Sequence, residues 1–289
     1  MRVALLMALL ASPPSRGDDG EIARLLREQG VKVVESAGVV TTVEAGDCSK
    51  WTDEEFRRIG RLAGLKSLSF GPGLGDASLA HLAGLSELES LSSNLSTITD
   101  EGVKGLAPLK KLKILKFFHP AKAFSGAGLV HLAELPNLER LTVAGSLAFN
   151  DDGMAAVGKL ERLKEVRTWH AGTTLEGVRK LKDLKNLKSL TLGQRLAYAP
   201  PTSVSDETIA VLAEMKSLES LRLEEARLKF DALVQLKGLP DLKSLTLDGI
   251  DIPEADVERL RQELPKVQVQ WTKPNPTYLK RIEKLFGKN

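Results

Sequence analysis

The chain has 289 residues, 42% hydrophobic but only 4% aromatic, a balance that points to a repetitive aliphatic interior rather than an aromatic-rich enzyme core. Its 41 basic and 38 acidic residues leave a net charge of +3, which gives no electrostatic footprint for nucleic acid. The single cysteine, Cys48, excludes an internal disulfide and a cysteine-rich metal site, and no apolar run reaches the roughly 18 residues of a membrane span.

Residues 1–17 read as an export leader. Arg2 is the positive start, Val3–Ala11 the apolar stretch and Ser12–Gly17 the small, proline-containing exit. A cytosolic amino terminus is the other reading of the same residues. Residues 18–50 are expected to form an N-terminal cap and a first, degenerate repeat. Within them Glu21–Gln29 has helical character, Gly30 stops it, and two strands follow, joined near Ser36–Gly38.

Residues 51–271 carry one pattern many times, L-x-x-L-x-x-L-x-x-L-x-L. Its anchor positions are Leu68, Leu91, Leu115, Leu141, Val166, Leu190, Leu221 and Leu245, separated by 23, 24, 26, 25, 24, 31 and 24 residues. A weaker copy opens the array at Val43, and another closes it at Val267 and Val269. The x-L-x-L-x half alternates with period two, as a strand with one buried face does. The half before it, such as Thr99–Leu109, is apolar at Val103, Leu106 and Leu109, which is helical spacing. Helix starts are marked by WTDEE, ITDEG, FNDDG and VSDET, each with an oxygen that can cap free N–H groups. Thr52 with Glu55 fits a capping box.

From about Val39 to Trp271 the chain resembles the leucine-rich repeat family. The [IV]-[ST]-D helix starts resemble its ribonuclease-inhibitor-like, F-box-associated (cysteine-containing) branch, as found in bacterial secreted repeat proteins. The resemblance implies an α/β solenoid, or horseshoe, with a parallel sheet on the concave face and helices on the convex face. It also implies a non-enzymatic protein that binds a protein or peptide on the concave face. A cell-envelope or extracellular polysaccharide-binding component is the alternative. Secretion, or a place in the periplasm or envelope, goes with the leader reading; without it the protein would be cytoplasmic.

No motif for a catalytic centre, cofactor or metal emerges. Cys48 takes the place where the family's repeat has an Asn or Cys bonded to loop backbone. His81 and His131 stand at equivalent repeat positions on the helical side, with no further ligands recurring beside them. The glycine cluster GPGLGD lacks phosphate-loop spacing, and NDDG fits a helix cap better than a calcium loop.

What remains is the solvent side of the strands. Most repeats show small polar residues there, such as Ser67, Ser69, Ser90, Ser92, Ser189, Thr191, Ser244 and Thr246. Three adjacent repeats differ. They carry Ile114, Lys116 and Phe118, then Arg140, Thr142 and Ala144, then Glu165, Arg167 and Trp169, with His119 and His170 directly after the aromatics. Ile114, Lys116, Phe118, Arg140, Thr142, Arg167, Trp169 and His170 form the candidate ligand patch, an aromatic-walled notch over Ala144. The competing reading has the aromatics folding over the strand ends to cover core. In the repeat of Trp169, Thr168 is a poor inward residue, so its register is open.

Residues 194–202 add about seven residues to one repeat and read as a rim loop between a strand and the Ser205 cap. Residues 272–289 are a basic tail or a capping helix, with Leu279, Ile282, Leu285 and Phe286 on one face. Weak contact of this tail with an anionic surface is the alternative.

Overall fold

The computed structural model describes residues 16–194 and 203–287. Residues 1–15 of the expected leader and 195–202 of the expected rim loop lie outside the described residues. Among the described residues, eleven strands form one sheet in chain order. They are β1 (Lys32–Ser36), β2 (Val39–Ala45), β3 (Ser67–Phe70), β4 (Ser90–Asn94), β5 (Ile114–Phe118), β6 (Arg140–Ala144), β7 (Glu165–Trp169), β8 (Ser189–Gly193), β9 (Ser220–Glu224), β10 (Ser244–Asp248) and β11 (Gln268–Thr272). β1 and β2 form an antiparallel hairpin, and β2 to β11 are parallel.

Register follows from the anchors. Val43, Leu68, Leu91, Leu115, Leu141, Val166, Leu190, Leu221, Leu245 and Val269 pair with one another in sequence across the sheet. All ten are buried and belong to one continuous apolar core. A slip of one residue would turn the whole leucine set to solvent, so burial fixes the register.

The other side of each unit holds short helices. Thr52 closes a capping box at the start of α2 (Asp53–Gly60), and Asn150, Thr174 and Ser205 cap α4 (Asp151–Val157), α5 (Leu175–Arg179) and α6 (Asp206–Leu212). Between α2 and α4 lies the shorter α3 (Asp76–His81). Two of the expected helices are 3₁₀ turns instead, Gly102–Leu106 and Ala127–Leu132. Glycine disfavours an α-helix by about 1 kcal/mol, but it does not separate these turns from the α-helices, since Gly153 lies in α4 and Gly177 in α5.

The aspartates of the helix starts do more than cap. Asp76 accepts from the N–H and hydroxyl of Thr99 at 2.8 and 2.7 Å, and Asp151 from those of Thr174 at 2.8 and 2.6 Å. Asp100 accepts from the hydroxyl and N–H of Ser125 and from the N–H groups of Gly126 and Gly128. Each carboxylate thus ties one repeat to the next, and its charge strengthens the bonds. At Gly102 the clamp leaves no room: a Cβ would lie 1.9 Å from Asp76 Oδ1.

The ends are closed differently. At the start, α1 (Arg16–Glu28) buries Ile22, Ala23 and Leu26, and Asp19 accepts from the Val40 N–H at 3.1 Å. Near the other end, after α7 (Phe230–Leu233), helix α8 (Glu254–Glu263) buries Val257 and Leu260 under the last repeats. The tail forms α9 (Pro276–Phe286), which buries Ile282. Its last carbonyls, of Phe286 and Gly287, accept from Arg227 in the loop after β9. So α9 turns back across the strand-exit rim rather than lying flat over the final strand.

A row of charges precedes the strands. Glu89 pairs with Lys113, Glu139 with Lys164, and Glu219 with both Lys188 and Lys243 at 2.6 Å. The two lysine hydrogen bonds hold the Glu219 carboxyl down to about 2, from an ordinary value of 4.5. A lowered carboxyl stabilises the fold above its unfolded value, and that contribution is lost as pH falls towards the folded value. The stability gap between wild type and Glu219→Gln should therefore shrink between pH 5 and pH 2 in denaturant titrations. A gap constant over that window would show that the two lysines do not act on stability through this carboxylate.

Thr168 does face inward, paired between Val143 and Leu192, and is 2% exposed. Its hydroxyl oxygen has no hydrogen-bond partner among the described residues. An unmet buried hydroxyl costs on the order of 1–3 kcal/mol. Thr168→Val keeps the shape and should raise stability by about 1 kcal/mol, read from the denaturation midpoint. A lower midpoint would mean that the hydroxyl is satisfied in solution.

Candidate functional site

The register brings the candidate residues together. Ile114, Arg140 and Glu165 are cross-strand neighbours, as are Lys116, Thr142 and Arg167, and Phe118, Ala144 and Trp169. His170 follows directly at the rim. All seven strand residues of the patch lie on the face opposite the leucine anchors, because side chains alternate along a strand.

The notch expected over Ala144 is closed. The Phe118 and Trp169 rings lean together, 6.1 Å between centroids and inclined at 55°, and Ala144 beneath them is 2% exposed. The two rings start about 10 Å apart on strands two places distant. A methyl between them is small enough to let them meet, and such ring contacts contribute about 0.5–1.5 kcal/mol. The half-buried aromatics that pack on the leucine core are Trp51, Phe230 and Trp271. Phe118 and Trp169 pack on each other instead. The Arg167 guanidinium stands 5.4 Å from the centre of the Trp169 ring, a cation–π contact.

Charge on the patch is uneven. Arg140 has a distant ion pair with Glu165 at 3.8 Å. Thr142 is sunk between Lys116 and Arg167. At the rim, His119 and His170 have left-handed backbones, φ 48° and 54°, as do Leu95 and Glu225 at the equivalent places. This conformation costs a residue with a side chain roughly 1–2 kcal/mol. His119 Nδ1 lies 2.9 Å from Asn94 Oδ1, and His170 Nε2 lies 3.2 Å from Glu225 Oε1. The His170 contact reaches past Gln194, whose Nε2 donates to the Glu225 carbonyl at 2.9 Å.

One contributor is not evident from the sequence pattern. Gly193 is the cross-strand partner of Trp169 on β8. A Cβ at Gly193 would lie 2.8 Å from the Trp169 Cβ and 2.9 Å from Glu224 Oε2. Glycine inside a strand is the signal that could have marked it, since it weakens the strand unless something approaches closely.

The other residues weighed from sequence have structural surroundings. Cys48 is buried, its Sγ 3.3 Å from the Gly46 carbonyl oxygen, and burial pushes the thiol up to about 12. A thiol held protonated is not a nucleophile. Asn150 of NDDG accepts from the N–H groups of Asp152 and Gly153, the geometry of a helix cap. Among the described residues no group of three or more His, Cys, Asp or Glu could hold a metal ion, and no helix is long and apolar enough to cross a membrane.

No family model matches the chain. A Caenorhabditis elegans protein named as RNA-binding, EEED8.10, is 27% identical over 160 residues, 53% of this chain and 21% of that protein. The chain thus spans about a fifth of that relative's length. An internalin, InlF, of Listeria monocytogenes matches with a TM-score of 0.52 at 20% identity, over 76% of this chain and 57% of that one. This likeness concerns the fold alone, and the fold is a leucine-rich-repeat solenoid.

Gly193 makes the pose of Trp169 testable. Gly193→Ala puts a methyl 2.8 Å from the Trp169 Cβ, which rotating the ring cannot relieve, and 2.9 Å from Glu224 Oε2, which can swing away, so the backbone that carries Trp169 must shift. The variant should stay folded, and the displacement of Trp169 should weaken the nuclear Overhauser contacts between Phe118 and Trp169. Contacts retained at wild-type strength would show that glycine does not hold the ring in place.

Proposed function

We propose that the protein is a non-enzymatic binding module that takes a protein or peptide on the solvent face of its sheet, at the repeats of β5 to β7. The observation that carries this reading is the Phe118–Trp169 pair, two large rings on the solvent side that pack on each other and not on the core. Aromatics flanked by arginine are over-represented where interfaces concentrate their binding energy. Ile114, Lys116, Phe118, Arg140, Thr142, Arg167, Trp169 and His170 would make up the contact surface, with Trp169 as its anchor. The tilt of the rings and the guanidinium over Trp169 leave no broad pair of flat faces for sugar stacking, which favours a peptide over a polysaccharide. Export, and membership of the ribonuclease-inhibitor-like branch, belong to the same reading. They are supported by the leader-like residues 1–17 and by the ITDEG and VSDET helix starts.

The test uses peptides selected on the intact chain from a random library, with affinities measured by calorimetry. Trp169→Ala should weaken them by about 2 kcal/mol, roughly thirtyfold, with the melting curve unchanged. Ser67→Ala, on the same face but outside the patch, should alter neither. Unfolding by Trp169→Ala, or unchanged affinity, would sink the reading.

A further inference from the structure

One position beyond each anchor, the solvent face carries an alternating row. Lys116, Thr142, Arg167, Thr191 and Arg222 are successive cross-strand neighbours on β5 to β9. The cations stand on every second strand, so their backbones are about 10 Å apart. A threonine lies sunk between each pair, and both Thr142 and Thr191 are 5% exposed. The two halves of the row differ in charge. Arg222 is neutralised, donating to Glu224 at 2.5 Å and to Asp248. Lys116 and Arg167 have no carboxylate partner among the described residues, and the nearest acid on β7, Glu165, is turned to Arg140. Arg167 is already held in place over Trp169. Thr142 is 5% exposed, and its hydroxyl, unlike that of Thr168, is not among the fully buried atoms without a partner, so it stays open on the solvent side to a ligand.

We propose that Lys116, Thr142 and Arg167 form a seat for the carboxylate of an acidic side chain on the bound peptide. The proposal rests on the reading of this face as a peptide-binding surface and names the chemistry it selects. A carboxylate between the two cations accepts from the ammonium, the guanidinium and the Thr142 hydroxyl together. Charged hydrogen bonds of this kind are about twice as strong as neutral ones. The Phe118–Trp169 pair lies two residues further along the same strands, roughly 7 Å away. The favoured peptide therefore carries an aspartate or glutamate beside an apolar residue. A nucleic-acid backbone would also bring oxyanions, but single strands are held by bases stacked on open aromatic faces. Here the rings face each other, and a guanidinium stands over the one on Trp169.

The seat is tested on the intact chain at low ionic strength, where screening is weak. A hexaglutamate peptide and a hexauridylate are titrated separately while the Arg167 Nε–H and Trp169 indole N–H resonances are followed. Hexaglutamate should shift both saturably. Lys116→Gln and Thr142→Val should each weaken it by about fivefold or more, since each removes one donor to the carboxylate. Thr142→Val keeps the β-branched shape of the strand residue, so the fold is retained. Arg57→Gln, which removes an exposed cation on α2, should change nothing. No shift with hexaglutamate, binding indifferent to Lys116→Gln and Thr142→Val, or tighter binding of hexauridylate at the same residues would each overturn the seat. The failures are separable. If Trp169→Ala abolishes binding of selected peptides while Thr142→Val and Lys116→Gln do not, the surface stands and the seat falls. If Trp169→Ala is silent while hexaglutamate still shifts Arg167 in a Thr142-dependent way, the seat stands and the surface reading falls.

Discussion

The fold depends on burial shared between neighbours. One unit of about two dozen residues presents leucines on its strand and on its helical segment, and alone it has nothing to cover them. Stacked, each unit covers the next, so the anchor column from Val43 to Val269 becomes a single dry seam. Stability then resides in nearest-neighbour interfaces rather than in a central core. The ends must be sealed by different sequence, and they are: α1 with the β1–β2 hairpin at one end, α8 at the other.

Leucine burial is non-directional and does not by itself keep successive units in step on the helical side. The aspartate clamps supply direction there. A carboxylate that accepts both an N–H and a hydroxyl from the following repeat fixes distance and angle at once, as Asp76 and Asp151 do. Asp206 makes a single such bond, to the N–H of Lys229, where no Ser or Thr hydroxyl stands at that place. The sheet and the clamps therefore hold opposite sides of each unit, and the strands between them are held straight enough to line up solvent-facing side chains in rows.

The sequence pattern shows the solenoid, the strand positions and the face on which each strand residue stands, because a period of two leaves only one way to bury leucine. The same arithmetic assembles the patch, placing Phe118, Ala144 and Trp169 in one row. It does not show where the side chains go from there. Two rings separated by an alanine could stand apart or meet, and contact between them decides it. Gly193 escapes notice because its role is to be empty beneath a neighbouring side chain. The clamps escape because a residue that caps its own helix looks the same, in one dimension, as one that reaches the next repeat.

Two threonines on adjacent strands show how far the face of a residue determines its consequence. Thr142 and Thr168 have the same shape, the same preference for strands and nearly the same burial. Thr168 points among leucines, where no donor or acceptor can reach its hydroxyl, and it only costs stability. Thr142 points the other way, between its cross-strand neighbours Lys116 and Arg167. Those neighbours are charged and have no carboxylate partner among the described residues. A hydroxyl on the solvent face between cations without carboxylate partners would be open to a ligand, as proposed above, whereas the same group on the core face has nothing to bond to. The difference comes from one residue of strand alternation, which the leucine columns impose.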